Sequence, residues 1–511
     1  MLARRAPEIR AFAAKLEAAD PDTAARAWHQ LGVLCVRINR FDEAQEALLN
    51  ALRGIGDCPA RIWILDTFAQ TLSGQGAWEE GRRVLRAVVK LKRAAGDYQG
   101  VAVSIGNLAR LESRVGHAAD VVSLLTESLK SLKGRIAATA ELRLRTSLLD
   151  ALLAAGLPAT REAAHLRRLL RGLSPHYLLG YAHVALARVA AANRDRHSSG
   201  RELARARPYF KLRDQQCLLH YWEARFGVRP VEGPRAIREF SALFKAAGVV
   251  TEGEVMFWLL LADNAKSRAD MKAMQGHLVT AARRAASANN PLWIDRVDEA
   301  YRRLDPEGFL EQLIRRFTGR SLAEMSRTVK EKVTVVFADL VGFTPRSQEL
   351  SPEDVMRTVR GLFELSVPLL VRHHVRPMSY LGDGLLAIAQ GPGQERRALS
   401  FATELVRKAT LITQVREALG DRWGLNLRAG VASGPVVLGA LGSLLKTEFA
   451  AIGMTTNLAA RLQAAANPGE VVCLRATGEA ARVRGQLELL VLKGVEKPVP
   501  GLRLAGNDLR I

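Results

Sequence analysis

The chain has 511 residues, a hydrophobic content of 48% and a formal net charge of +22 at pH 7. This length exceeds one ordinary domain, so we expect about two to four domains with packed cores. Because no apolar run reaches the roughly 18 residues of a membrane-spanning helix, we expect no membrane span. The amino terminus lacks the apolar stretch of a secretory signal, so we expect none.

The four cysteines are scattered and form no CxxC pair, which indicates reduced thiols in a cytoplasmic protein. The positive charge is concentrated in residues 1–330, which carry +17, whereas residues 331–511 carry +5. We interpret this excess as arginine on solvated helix faces. Because no DNA-binding motif and no basic cluster interleaved with aromatic residues accompanies it, we do not expect nucleic acid as a partner.

Residues 1–305 predict one helix after another. Alanine, leucine and arginine dominate, and strand-like alternation is absent. Turn signals recur every 37–40 residues, the period of a helical hairpin repeat. These breaks lie at or near Phe41, Trp78, Ala118, Pro158, Asp195, Glu232 and Asp270.

Two pairs of segments carry a resemblance to a known repeat. WHQLG (28–32) followed by FDEA (41–44) resembles a tetratricopeptide repeat, and GNLA (106–109) with GHAA (116–119) resembles another. The resemblance covers about residues 20–290 and implies an all-α superhelical solenoid whose concave surface binds an unknown protein or peptide. A plain helical bundle stays open as the alternative.

Residues 306–330 predict a charged helical connector, and β-branched runs then alternate with helices through residues 331–511. This pattern favours a separate α+β domain. The predicted strands are 333–339, 375–381, 384–389, 424–432, 435–440, 448–452, 470–473 and 486–492. The predicted helices are 352–374, 395–418 and 455–466.

Two aspartates in this domain sit at unusual positions. Asp339 ends a β-branched run and is soon followed by Gly342, while Asp383 lies between glycines and between two apolar runs. A carboxylate at the end of a strand is well placed to be a metal ligand. Mg²⁺ favours one or two such carboxylates together with substrate phosphates.

The segments around these aspartates extend the pattern. VVFADLVGFT (335–344), GDG (382–384), LRAGVASGPVV (427–437), IGMTTNLAARL (452–462) and LKGVEKPV (492–499) occur in this order. Together they resemble the catalytic domain of class III nucleotidyl cyclases, the adenylate and guanylate cyclases. The resemblance spans about residues 331–505 and implies a ferredoxin-like α+β fold that converts a nucleoside triphosphate to a cyclic nucleotide and pyrophosphate.

The resemblance also implies roles for individual residues. Asp339 and Asp383 would hold two ions of Mg²⁺ or Mn²⁺ per site. Asn457 and Arg461, four residues apart on one helix face, would orient the substrate and stabilise phosphoryl charge. The residues expected to contact phosphate are Leu340, Gly342, Phe343, Thr344 and Lys493.

In this family the site lies between two catalytic domains, with metal ligands from one and the Asn/Arg pair from the other. A chain carrying both sets therefore implies a homodimer through the cyclase domain, with two equivalent sites.

The chain departs from the family at the positions that read the base. Ser379 replaces the usual Lys or Glu, Ala450 replaces the usual Thr or Asp, and Met454 replaces a common acidic residue. Neither Ser379 nor Ala450 can form the usual purine hydrogen bonds, so ATP is the default only on family grounds. Three interpretations stay open: an active cyclase that reads its base loosely, one with an unusual base preference, and a degenerate domain without turnover. In a further alternative, the cyclase fold only dimerises a repeat-protein scaffold.

Overall fold

The computed structural model describes residues 2–38, 40–56, 58–114, 118–229, 234–248, 250–288, 290–318, 328–420, 424–443 and 446–505. The chain forms two compact units, Met1–Pro306 and Glu307–Ile511. Of the predicted signals, the break at Glu232 and the residues Gly116 and His117 lie outside the described residues.

The first unit is built from helices that follow one another along the chain. These are α1 Leu2–Leu16, α2 Pro21–Arg37, α3 Phe41–Gly54, α4 Pro59–Gly74, α5 Trp78–Ala94, α6 Tyr98–Arg114, α7 Ala118–Ser131, α8 Ala138–Ala154, α9 Thr160–Leu170, α10 Leu178–Ala192, α11 Arg196–Ala206, α12 Arg213–Arg225, α13 Pro234–Ala247, α14 Glu252–Ser267, α15 Met271–Ser287 and α16 Pro291–Leu304. From α2 onward, each helix starts 35–42 residues after the helix two before it.

Local sequence explains how these hairpins begin and close. Asp195 and Asp270 accept hydrogen bonds from backbone amides at the starts of α11 and α15, as N-cap residues do. Gly32 lets α2 approach α3, because an added Cβ there would lie 2.6 Å from the side chain of Leu48. The prediction of an all-α solenoid is confirmed, whereas the assignment of its units as tetratricopeptide repeats stays a prediction.

A buried polar network fastens α4, α5 and α6 together. The Lys92 ammonium donates to Asp66 at 2.6 Å and to Ser104 at 2.9 Å, and Asn107 donates to the other Asp66 oxygen at 3.1 Å. Asp66 and Lys92 are 3% and 1% exposed. Because both groups are removed from water, loss of either one would leave the other buried without its ion-pair partner.

The second unit combines one mixed sheet with helices. After α17 Pro306–Thr318, its elements are β1 Val329–Leu340, α18 Phe343–Ser347, α19 Pro352–Arg372, β2 Arg376–Leu381, β3 Gly384–Gln390, α20 Gln394–Ala418, β4 Leu427–Ser443, β5 Lys446–Ile452, α21 Met454–Ala465, β6 Glu470–Leu474, α22 Arg475–Ala481, β7 Gln486–Leu490 and β8 Val499–Ala505. The α+β prediction for this part of the chain is confirmed.

The sheet has the strand order β2-β3-β1-β4-β6-β8-β7, and β5 pairs with the far end of β4. β1 is central and antiparallel to both β3 and β4, while β4 and β6 are parallel. Val333 and Val335 belong to a core cluster with Ala459 and Leu462 of α21. Because side chains alternate along a strand, Asp339 lies on this same face of β1, at its end.

The sequence predicted two strands with a break at residues 433–434, and this is wrong, because β4 runs unbroken through Ser433, Gly434 and Pro435. Gly434 is required there by packing, since an added Cβ would lie 2.5 Å from the Thr455 hydroxyl. The short helices α18 and α22 and the strand β8 were not predicted. Within the described residues, no helix is both long and apolar enough to cross a membrane.

Candidate functional site

The sheet brings the two predicted metal ligands together. Asp339 near the end of β1 pairs with Gly384, the first residue of β3. Asp383 directly precedes Gly384 in the tight turn after β2, where Gly382 has a φ of 64°. The left-handed conformation at this glycine lets the chain reverse within two residues and places Asp383 beside Asp339.

The electrostatics of this pair are unfavourable without a cation. Burial, together with the neighbouring Asp383 carboxyl, raises the pKa of Asp339 to about 6. Arg428 and Gln463 lower the pKa of Asp339, but by less than burial and Asp383 raise it. Two crowded carboxylates with excess negative charge fit a divalent cation. Within the described ranges, no cluster of three His, Cys, Asp or Glu side chains forms a ligand set.

Two residues next to Asp339 were given no role from sequence. Arg428 lies directly across the β1–β4 ladder from Asp339, and its Nη2 is 3.9 Å from Asp339 Oδ2. Gln463 of α21 donates from Nε2 to the same oxygen at 3.3 Å. Arg428 stands inside a segment that carried the family resemblance, so the sequence held a signal for it. For Gln463 the only signal was a polar side chain on the otherwise apolar face of a helix.

The turn predicted to cradle phosphate follows β1 directly. Leu340 is buried at the end of the strand, and Gly342 has a φ of 67°, which favours glycine. Phe343 then begins α18, which also contains the backbone of Thr344. The amide of Val341 is already used, because it donates to the Asn426 carbonyl at 2.7 Å. Any phosphate contacts of this turn would therefore come from its other amides.

The Asn/Arg pair lies on a different surface from the aspartates. Asn457 and Arg461 are both exposed and share one face of α21, as their spacing predicts. The opposite face of the helix contains the buried residue Leu462 together with Gln463, and within one chain it is Gln463 that meets Asp339. The approach of the Asn/Arg pair to the two aspartates stays a prediction.

The remaining predicted residues are placed as follows. Ser379 lies half-buried in β2, at an irregularity in its register with β3. Ala450 lies in β5 opposite Gly439 of β4. Lys493 is exposed in the connection between β7 and β8. Each of these roles stays a prediction.

In comparison with known proteins, residues 325–496 match the family model described as the adenylate and guanylate cyclase catalytic domain. An uncharacterized protein of Mycobacterium tuberculosis is 29% identical over 208 residues, which cover 37% of each chain. An adenylate cyclase of the same organism is 29% identical over 143 residues, covering 28% of this chain and 31% of the relative. The chain thus spans only about a third of the length of these relatives.

Among solved structures, the crystal structure of the guanylyl cyclase Cya2 is 28% identical to this chain. The similarity covers 35% of this chain and 93% of that one, with a TM-score of 0.33.

Proposed function

We propose that this chain converts a nucleoside triphosphate to a 3′,5′-cyclic nucleotide and pyrophosphate, because residues 325–496 match the adenylate and guanylate cyclase catalytic domain. The observation that carries the proposal is the pair Asp339 and Asp383. The fold brings these carboxylates together, and burial together with the neighbouring Asp383 raises the pKa of Asp339 to about 6, a charge arrangement suited to divalent cations.

Asp339 and Asp383 would hold the metal ions in this reaction. When bound, two ions of Mg²⁺ or Mn²⁺ would activate the 3′-hydroxyl and stabilise the departing pyrophosphate. Arg428 is near enough to the carboxylates for its guanidinium to bind phosphate oxygens while remaining close to Asp339. Lys493 and the backbone amides of Leu340, Gly342, Phe343 and Thr344 would complete the phosphate site.

The Asn/Arg half of the site would come from a second copy of the chain. Because Asn457 and Arg461 face solvent on the side of α21 away from Asp339, they are available to a partner's substrate. Arg461 would stabilise charge on the phosphoryl group, and Asn457 would orient it. A homodimer with two equivalent sites follows.

In this proposal the site recognises the base of the substrate only weakly. Ser379 and Ala450 lack the side chains needed to hydrogen-bond a purine edge in the usual way, so discrimination between bases should be poor. ATP remains the default substrate. The helical unit would be a regulatory module that binds a protein or peptide, in a cytoplasmic signalling protein.

A product assay tests the activity. The full chain would be incubated with Mn²⁺ or Mg²⁺ and with each of the four nucleoside triphosphates. We expect a cyclic product that is lost in Asp339→Ala and kept in Glu349→Gln, which alters an exposed carboxylate of the same unit. A folded protein that yields no product with any nucleotide would favour the alternative, a degenerate domain that binds nucleotide or dimerises the repeats. The changes at Ser379 and Ala450 are the observation that favours this alternative.

Mixing two inactive variants tests the shared site. An Asp339→Ala chain keeps Asn457 and Arg461, and an Arg461→Ala chain keeps the aspartates. Their heterodimer should contain one complete site, so the mixture should recover activity that neither variant has alone. A mixture that exchanges subunits yet stays inactive would contradict the homodimer.

A further inference from the structure

Gln463 is a polar residue on the buried side of α21. Its side chain is 7% exposed and lies between core residues Leu462 and Ala466. A buried amide needs hydrogen-bond partners, and Nε2 donates to Asp339 Oδ2 at 3.3 Å. Gln463 thus contacts the predicted metal ligand Asp339 from the buried side of α21.

The helix that carries Gln463 is fixed tightly against the sheet. At Gly430 of β4, an added Cβ would lie 2.2 Å from the Ala459 carbonyl oxygen and 2.2 Å from the Gln463 amide nitrogen. Arg428 donates from Nη1 to the Ala464 carbonyl at 3.2 Å. The last turn of α21 therefore cannot shift without moving the amide that contacts Asp339.

The two contacts on Asp339 use the same oxygen. Gln463 and Arg428 both approach Oδ2. This restricts rotation of the carboxylate about its last bond. Hydrogen bonds from an outer shell orient metal-binding carboxylates in this way, and losing one typically weakens metal binding by about 10- to 100-fold.

Resting on the proposed function, we propose that Gln463 is a positioning residue that orients Asp339 toward the metal and links metal occupancy to the position of α21. The exposed face of the same helix carries Asn457 and Arg461, which serve the partner's site in the proposed dimer. A change at Asp339 in one site would then reach the Asn/Arg pair of the other site through one rigid helix.

Metal binding without nucleotide tests the positioning role. Gln463→Met keeps the length of the side chain and removes its donor, so Mn²⁺ affinity of the full chain, measured by titration calorimetry, should fall about 10-fold. Gln486→Met makes the same chemical change at an exposed position of β7 and should bind Mn²⁺ like the wild type. Wild-type affinity in a folded Gln463→Met protein would overturn the proposal.

A second variant covers the case in which Gln463→Met does not fold. Gln463→Asn keeps a buried amide but is one methylene shorter, so its donor no longer reaches Asp339. It should show the same loss of affinity, and wild-type affinity would again overturn the proposal. If the wild type binds no Mn²⁺ under these conditions, both the metal site and the role of Gln463 are refuted.

Hydrogen exchange tests the link to the helix. At saturating Mn²⁺, amide exchange in peptides covering residues 459–466 should slow in the wild type and stay unchanged in Gln463→Met. Equal slowing in both proteins would refute the link. Neither readout needs turnover, so an intact Mn²⁺ response without cyclic product would refute only the proposed function. Product formation together with unaltered Mn²⁺ binding in Gln463→Met would refute only this inference.

Discussion

Replacing Asp339 by asparagine should stabilise the metal-free protein while destroying its metal site. The pKa of Asp339 is raised from 3.8 to about 6 in the folded chain, mainly by burial and by Asp383. The folded state therefore binds a proton more tightly than the unfolded state does. The resulting stability is present at low pH and is lost as the pH rises through about 6.

The size of the effect follows from the shift. The rise of about two units in this pKa destabilises the folded state by about 3 kcal/mol at pH 8, where Asp339 is ionised in both the folded and the unfolded state. At pH 5 the carboxyl is mostly protonated in the folded state and mostly ionised in the unfolded state. About half of the destabilisation therefore remains at this pH. Since about 1 kcal/mol moves the melting temperature of a domain of this size by about 2–4 °C, Asp339→Asn should melt about 6–12 °C above the wild type at pH 8.

Differential scanning calorimetry of the full chain in EDTA measures this difference. The relevant transition is the one that Mn²⁺ moves upward in the wild type. Asp339→Asn should raise that transition at pH 8, raise it about half as much at pH 5, and abolish its response to Mn²⁺. Glu349→Gln makes the same chemical change at an exposed site and should shift it little. An Asp339→Asn protein that melts no higher than the wild type at pH 8 would refute the electrostatic reasoning.

Other sites yield predictions of different kinds. Gly430→Ala should destabilise the protein by about 1–3 kcal/mol in urea unfolding, because the added Cβ would clash with the α21 backbone. Gly276→Ala has open space in α15 and should stabilise the protein by about 0.5–1 kcal/mol. Equal effects of the two substitutions would contradict the packing of α21 on β4. Asp66→Ala should lower the stability measured by thermal unfolding by about 3–5 kcal/mol, because it leaves Lys92 buried without its ion-pair partner. Adding Lys92→Met should restore most of that stability. No recovery in the double variant would contradict the Asp66–Lys92 ion pair. Among the four thiols, the half-exposed Cys58 should react first with a thiol reagent, measured by mass spectrometry, and earlier labelling of a buried cysteine would contradict the fold.

Much of the architecture followed from periodicity. The breaks at Trp78, Ala118, Asp195 and Asp270 coincide with starts of second helices, because turn and capping chemistry is local. The error at Ser433–Pro435 arose from the same local rules. A Gly-Pro pair predicts a turn, but here the helix above the strand requires the glycine, and that contact is not local.

The sequence by itself carried the resemblance of residues 331–505 to the class III cyclase domain, and with it the prediction of four residues for its chemistry. It also placed Asn457 and Arg461 on one helix face, since that depends only on helical spacing. Only the tertiary structure decided what surrounds Asp339: its neighbour Asp383, Arg428 across the ladder and Gln463 from behind. The physical reason is that strand pairing and helix packing bring together residues up to 124 positions apart, and charge and burial act between those neighbours rather than along the chain.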